Sequence, residues 1–284
     1  MNISRSRAVD NFKKYGIFWY YSAQKLPIDI YKDIILFHEF IENIEQLIHT
    51  HYHTQSHLIT IVQDRHEAYK SQNYDHPIYG GFIEVMIRRR IGAEYVKSFL
   101  QSMLLHTTHI DYQDEDQIEA YIYGSAESLW IMISEIVGCA PAGQSHVKSL
   151  SEWIWFVHML LDLPHDRHDG KQYIPRSTLT KYQVSPEDIS KAIRTGRPSE
   201  PVRVLIKHYV DLHESMWAYA IKWLWYLNNN WHEALLLMLS DYEQIVDIIK
   251  RYNYNIFHPR FNTTIGGKIW WYLMYRFYSL IWTN

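Results

Sequence analysis

Two aspartates four residues apart, Asp162 and Asp166, with Arg167 and Lys171 just behind them, are the residues in this sequence best placed to do chemistry. On a helix that spacing brings both carboxylates to one face, close enough to share a cation. Hard Mg²⁺ prefers carboxylate and phosphate oxygens and keeps several waters, so the pair is a seat for Mg²⁺–diphosphate. Arg167 and Lys171 supply positive charge for phosphate. Read without function, the same run is a solvated helix end turning at Gly170. Histidine, with 17 residues, gives a second set of candidates. His49, His53 and His57 recur every four and would form a metal-binding ridge on an unbroken helix. The intervening His51-Tyr52 and Thr54-Gln55-Ser56 read instead as an interhelical loop. His165 and His168 flank the aspartates, which leaves open a transition-metal site of Asp162, His165 and Asp166 or simply solvated imidazoles. Arg88-Arg89-Arg90 would meet phosphate or acidic lipid heads, or balance a helix dipole.

These side chains need helices to hold them, and helical periodicity runs through most of the chain. Pro27 suits a first-turn position, and Ile30, Ile34, Phe37, Ile41, Ile44 and Ile48 follow at spacings of three and four. Further helices are expected over His57–Ser71, Ile78–Arg90 with a start delayed by Gly80-Gly81, Ile118–Val137, Val147–Leu161, 198–228, 233–252 and 266–282. The acidic run Asp111–Asp116 suits the N-terminus of the Ile118–Val137 helix. Alternating Val/Ile/Thr runs bounded by hairpin turns are absent, so the expectation is one all-α domain over 1–284.

Composition bounds the function. The 284 residues carry 28 basic against 31 acidic side chains, net −3, which argues against a dedicated nucleic-acid binder. One cysteine, Cys139, excludes an internal disulfide framework and a Cys-based zinc site, and fits a reducing compartment. The 23 Tyr, 11 Trp and 10 Phe suit either a densely packed helical core or an apolar cavity lined by π-faces. The run from Ile269 to Trp282 is too short to span a membrane and carries Arg276. It reads as a docked C-terminal helix or as a membrane-interface segment. The basic N-terminus lacks an apolar core, so the expected location is the cytoplasm, with peripheral contact to the inner membrane through the C-terminal helix as the variant.

The run Asp162-Leu163-Pro164-His165-Asp166, continued by Gly170-Lys171-Gln172-Tyr173-Ile174-Pro175, resembles the second aspartate-rich motif of the squalene/phytoene synthase family. Lys181-Tyr182 through Asp188-Ile189 and the Tyr121-Ile122-Tyr123-Gly124-Ser125-Ala126 segment resemble further family stretches, in matching order. The resemblance implies an isoprenoid-synthase-type helical bundle around a central cavity, condensing two prenyl diphosphates head to head. It implies Mg²⁺ on Asp162 and Asp166 with Glu42 as the remaining metal ligand. It also implies Lys171, Arg167, Gln46 and Tyr121 on substrate, and Tyr123 and Tyr173 in the catalytic pocket, with aromatic faces stabilising an allylic cation.

The first family motif is altered: Glu42 and Gln46 stand for its aspartates and Glu39 for an arginine. On the second-motif helix Trp155, His158 and Leu161 replace glutamine, asparagine and arginine. Glu127-Ser128-Leu129-Trp130 replaces a run of small residues. Tyr252 to Pro259 is similar to a stretch of the mitochondrial complex I assembly factor that shares this fold. That likeness implies the alternative of a non-catalytic relative binding a lipid or protein partner.

Overall fold

The computed structural model describes residues 23–50, 68–69, 71–76, 79–105, 111–228 and 231–258. Helix α1 (Ile28–Thr50) begins directly after Pro27, as the sequence pattern predicts. Ile30, Ile34, Phe37 and Ile44 are buried, and Phe40 rather than Ile41 takes the remaining core position. Phe40 stacks on Phe82 of α2 (Gly80–Arg89) with ring centroids 4.5 Å apart, and meets Phe99 of α3 (Ala93–Leu105) edge-on at 5.9 Å. The buried Asp33 of α1 accepts hydrogen bonds from Arg88 and, at 2.6 Å, from Arg89. Asp29 takes a second bond from Arg89. Both guanidiniums are therefore held by carboxylates of α1, which makes this arginine pair a helix–helix clamp.

Helix α4 (Glu115–Ile122), a π-helical turn over Tyr123–Glu127 and α5 (Ser128–Val137) cover the expected Ile118–Val137 helix. Such turns insert a residue into the helical ladder and are common at functional sites. Here the turn lets Gly124 pack against α3. A Cβ at that position would lie 2.9 Å from the Ser98 carbonyl oxygen and 2.8 Å from Ser102 Cβ. Gly124→Ala is therefore expected to destabilise the protein by about 1–3 kcal/mol, read as a lower denaturant midpoint. An unchanged midpoint would show that α3 yields freely at this contact.

Helix α6 (Gln144–His168) is longer than the Val147–Leu161 expected, because it continues through Pro164. Proline removes one backbone N–H from the ladder, yet the helix holds for four further residues. Then follow α7 (Arg176–Lys181), α8 (Pro186–Thr195), α9 (Glu200–Ala220), a 3₁₀ turn over Ile221–Tyr226 and α10 (His232–Arg251). Helices α3, α7 and α8 were not expected from the periodicity. The start of α8 is nonetheless written in the sequence as a capping box. Ser185 Oγ accepts from the Asp188 amide at 3.2 Å, and Asp188 Oδ2 accepts from the Ser185 amide at 2.9 Å.

Among the described residues there is no strand, only an isolated bridge between Asp111 and Gln172. No described helix is long and apolar enough to cross a membrane. The fold is all-α, as expected. His53, His57, most of the His57–Ser71 helix and the whole C-terminal aromatic segment lie outside the described residues.

The residues group into two compact units. The first holds α1, α2, α3, the π turn, α5 and residues 223–235. Within it Trp130 packs edge-on to Trp223 at 5.9 Å, and Trp223 Nε1 donates to Ser134 Oγ at 3.0 Å. The second holds α4, α7, α8, α9 and the greater parts of α6 and α10. Its centre is Trp153, which is fully buried, stacks on His213 at 4.5 Å and meets the tilted ring of Trp217 at 4.6 Å.

Candidate active site

Helix α6 sets one row of side chains along its length in the second unit: Trp155, His158, Asp162 and Asp166, three or four residues apart. His158 Nε2 lies 3.1 Å from the hydroxyl of Tyr242, a buried residue of α10. His158 and Asp162 keep accessible surface, yet burial dominates the titration of both. Burial lowers the His158 imidazole against the pull of Asp162, and burial raises the Asp162 carboxyl against the pull of His158 and His165. Asp166 is pushed up to about 6, first by burial and then by the Asp162 carboxylate, with Lys171 opposing. The pair is thus short of positive charge, as carboxylates awaiting a cation would be.

Lys171 is buried at 6% exposure and lies 3.9 Å from Asp169. Gly170, at φ +73°, makes the turn that brings it there, and the Lys171 amide donates to the Asp166 carbonyl at 2.8 Å. The following segment is fixed by the acidic run before α4. Asp111 pairs with Arg176, and Glu115 accepts from the Ser177 hydroxyl at 2.9 Å and from Thr178. This anchorage seats Tyr173 beside Tyr121, ring centroids 5.3 Å apart and hydroxyls 3.5 Å apart, with Tyr112 next to both. Burial raises the Tyr173 hydroxyl well above its ordinary range, so it stays protonated at neutral pH.

Of the residues singled out from sequence, Asp162, Asp166, Lys171, Tyr121 and Tyr173 lie in this unit in the arrangement just described. Arg167 is in the same unit, but its guanidinium bonds Gln172 at 3.1 Å and Ser190 at 3.5 Å. Tyr123 lies in the π turn of the other unit and is 41% exposed, so Tyr121 is the tyrosine that meets Tyr173. Glu42 is buried on α1, and its Oε1 has no hydrogen-bond partner among the described residues. Gln46 lies on the same helix, with its side chain outside the described residues. The three-ligand site of Asp162, His165 and Asp166 does not form. His165 is mostly exposed and turned toward Asp169 at 3.8 Å, and among the described residues no three His, Cys, Asp or Glu side chains are grouped to hold a metal. The His158–Tyr242 contact was missed, because Tyr242 sits in no motif and only the departure at His158 marked the position.

The donor chemistry fits a hard divalent cation. Two carboxylates one turn apart are oxygen donors, and Mg²⁺ completes its shell with phosphate and water. They do not fit a metal held by protein ligands alone.

The family model described as squalene/phytoene synthase matches residues 18–266. Among curated proteins the chain is 24% identical over 226 residues to the chloroplastic phytoene synthase of an Oncidium hybrid cultivar, covering 75% of this chain and 54% of the relative. It is 23% identical over 227 residues to that of Cucumis melo, covering 75% and 53%. The chain therefore spans about half the length of the curated relatives it matches. A dehydrosqualene synthase crystallised with a ligand superposes with a TM-score of 0.85 at 14% identity, covering 96% of this chain and 95% of the other. The squalene synthase of Alicyclobacillus acidocaldarius gives a TM-score of 0.73 at 14% identity, covering 90% and 97%. At these identities the superpositions show a shared fold.

Proposed function

The chain belongs to the squalene/phytoene synthase family, and from that membership we propose that it binds a prenyl diphosphate with Mg²⁺ and transfers prenyl groups head to head. The observation that carries this reading is the Asp162–Asp166 pair, one helical turn apart on α6, raised in pKa and short of neutralising charge. A magnesium ion held there supplies Lewis acidity toward a diphosphate leaving group. Asp162 and Asp166, one helical turn apart on α6, would hold it. Lys171 is the buried cation of the motif and binds diphosphate oxygen, because an ammonium removed from water attracts phosphate strongly. Tyr121 and Tyr173 present ring faces that favour developing positive charge. Their packing and that of Trp155, 6.4 Å from Tyr173, excludes water that would quench it.

One observation favours binding without turnover. Arg167 is engaged by Gln172 and Ser190, and Leu161 and Glu39 stand where the family resemblance implies arginines. On that second reading the chain is a non-catalytic relative that holds a lipid or a protein partner.

Incubation of the purified chain with farnesyl or geranylgeranyl diphosphate and Mg²⁺, following diphosphate release, separates the readings. Release that needs Mg²⁺ supports the transferase. A Mg²⁺-dependent thermal shift by a non-hydrolysable diphosphate analogue, without release, supports the binding protein. Neither signal would remove prenyl diphosphate from consideration.

A further inference from the structure

The second unit also contains a cavity of about 200 Å³ that Asp162 and Asp166 do not line. It lies among α4, α6, α9 and the segment from Tyr173 to Thr178. Its apolar wall includes the rings of Trp155, Phe156, Tyr173 and Tyr209 and the thioethers of Met159 and Met216. The rings are braced against one another. Trp155 meets Phe156 edge-on at 5.4 Å, and Phe156 meets Tyr209 at 5.6 Å. Such a volume far exceeds what one water needs, and a wall this apolar gains little from water filling.

The charge at this cavity is mostly negative. Glu115, Glu119 and Glu152 all contribute to its lining. Hydrogen bonds from Thr178 and Ser177 hold the Glu115 carboxyl below its usual range, so it remains ionised. Lys148 lies 3.5 Å from Glu152 and 3.7 Å from Glu119, a loose bridge shared between two carboxylates. Lys181 acts on Glu115. Burial lowers the His208 imidazole, so His208 brings no positive charge at neutral pH. Three carboxylates thus face two lysines around a ring-lined space. An anion is repelled there, whereas a cation with an apolar body gains both from the carboxylates and from the ring quadrupoles.

We propose that this cavity is a binding site for a small organic ammonium ion, its apolar body among Trp155, Phe156 and Met159 and its charged end toward Glu152 and Glu119. Lys148 is the group it would displace from its shared position. A diphosphate head is the wrong charge for the site, so although Trp155 and Tyr173 border both places, its ligand differs from that of the Asp162–Asp166 pair. The two thioethers give the wall the adaptability to close on apolar bodies of differing shape.

Calorimetric titration of the full chain with 2-phenylethylammonium, neutral 2-phenylethanol and anionic 3-phenylpropanoate tests the assignment. The ammonium is expected to bind at least tenfold more tightly than the alcohol, and the carboxylate not at all. Glu152→Gln should weaken the ammonium at least fivefold, and Met159→Trp, which fills the space, should abolish binding. Should either variant fail to fold, Glu119→Gln and Met216→Phe carry the same two tests. Asp162→Ala should leave the affinity unchanged. Equal affinity for alcohol and ammonium, binding that survives cavity filling, or loss of binding in Asp162→Ala would each overturn the proposal.

Discussion

Asp162→Ala is expected to lower Mg²⁺-dependent diphosphate release from farnesyl or geranylgeranyl diphosphate by about a hundredfold or more. Lewis-acid stabilisation of a leaving group contributes several kcal/mol, and each 1.4 kcal/mol is about tenfold in rate. Asp162 is central to the row on α6, one turn after His158 and one turn before Asp166. Its removal leaves a single carboxylate, which cannot bridge the same cation. The fold should tolerate the change, because Asp162 keeps accessible surface and its carboxyl is disfavoured by burial in the first place. Matching circular dichroism and an unchanged or higher unfolding midpoint would therefore accompany the loss. Release undiminished in this variant would show that the chemistry lies away from α6. His158→Ala is the informative companion, since it removes the imidazole that meets the Tyr242 hydroxyl and lies beside Asp162 while keeping both carboxylates.

What the sequence made legible follows from how local each signal was. The row on α6 needed only a four-residue spacing, and α1 needed only its periodicity. Helix α1 stands as expected, with Phe40 in the place given to Ile41 because three aromatic partners reward the larger side chain there, and α6 runs past the expected Leu161 to carry both aspartates. Helix α8 carried its own capping box and was still passed over, because its apolar face is short. Contacts between distant segments had no local trace. Asp111 with Arg176, Glu115 with Thr178 and His158 with Tyr242 each join residues more than sixty positions apart. The aromatic surplus divides along the same line. Trp130 and Trp153 are core, fixed by Trp223, His213 and Trp217. Trp155, half-buried, lines an open cavity in place of filling one. Position along the chain placed Trp130 and Trp155 where the family keeps small or polar groups, but only packing distinguishes plug from wall.

Asp166→Asn should separate stability from function in opposite directions. The Asp166 carboxyl is raised from 3.8 to about 6 in the folded chain. Below pH about 4 it is protonated whether the chain is folded or not, so it contributes nothing to stability there. Between pH 4 and 6 the unfolded chain releases the proton first, and the folded state loses stability as pH rises. Above about 6 the cost is complete, about 1–2 kcal/mol once solvent screening of a half-buried group is allowed for. Asparagine cannot ionise, so the metal-free variant should be more stable than the parent by that amount at pH 7.5, and equal to it at pH 3.5. Mg²⁺ acts on the same balance from the other side. It binds the ionised pair, so it should stabilise the parent at pH 7.5, progressively less as pH falls through 6, and not detectably stabilise the variant. Denaturant midpoints at the two pH values, with and without Mg²⁺, give all four terms. A variant less stable than the parent at pH 7.5 would mean that Lys171 already neutralises Asp166. The pair would then be a closed structural motif, and the case for a cation between Asp162 and Asp166 would fall with it.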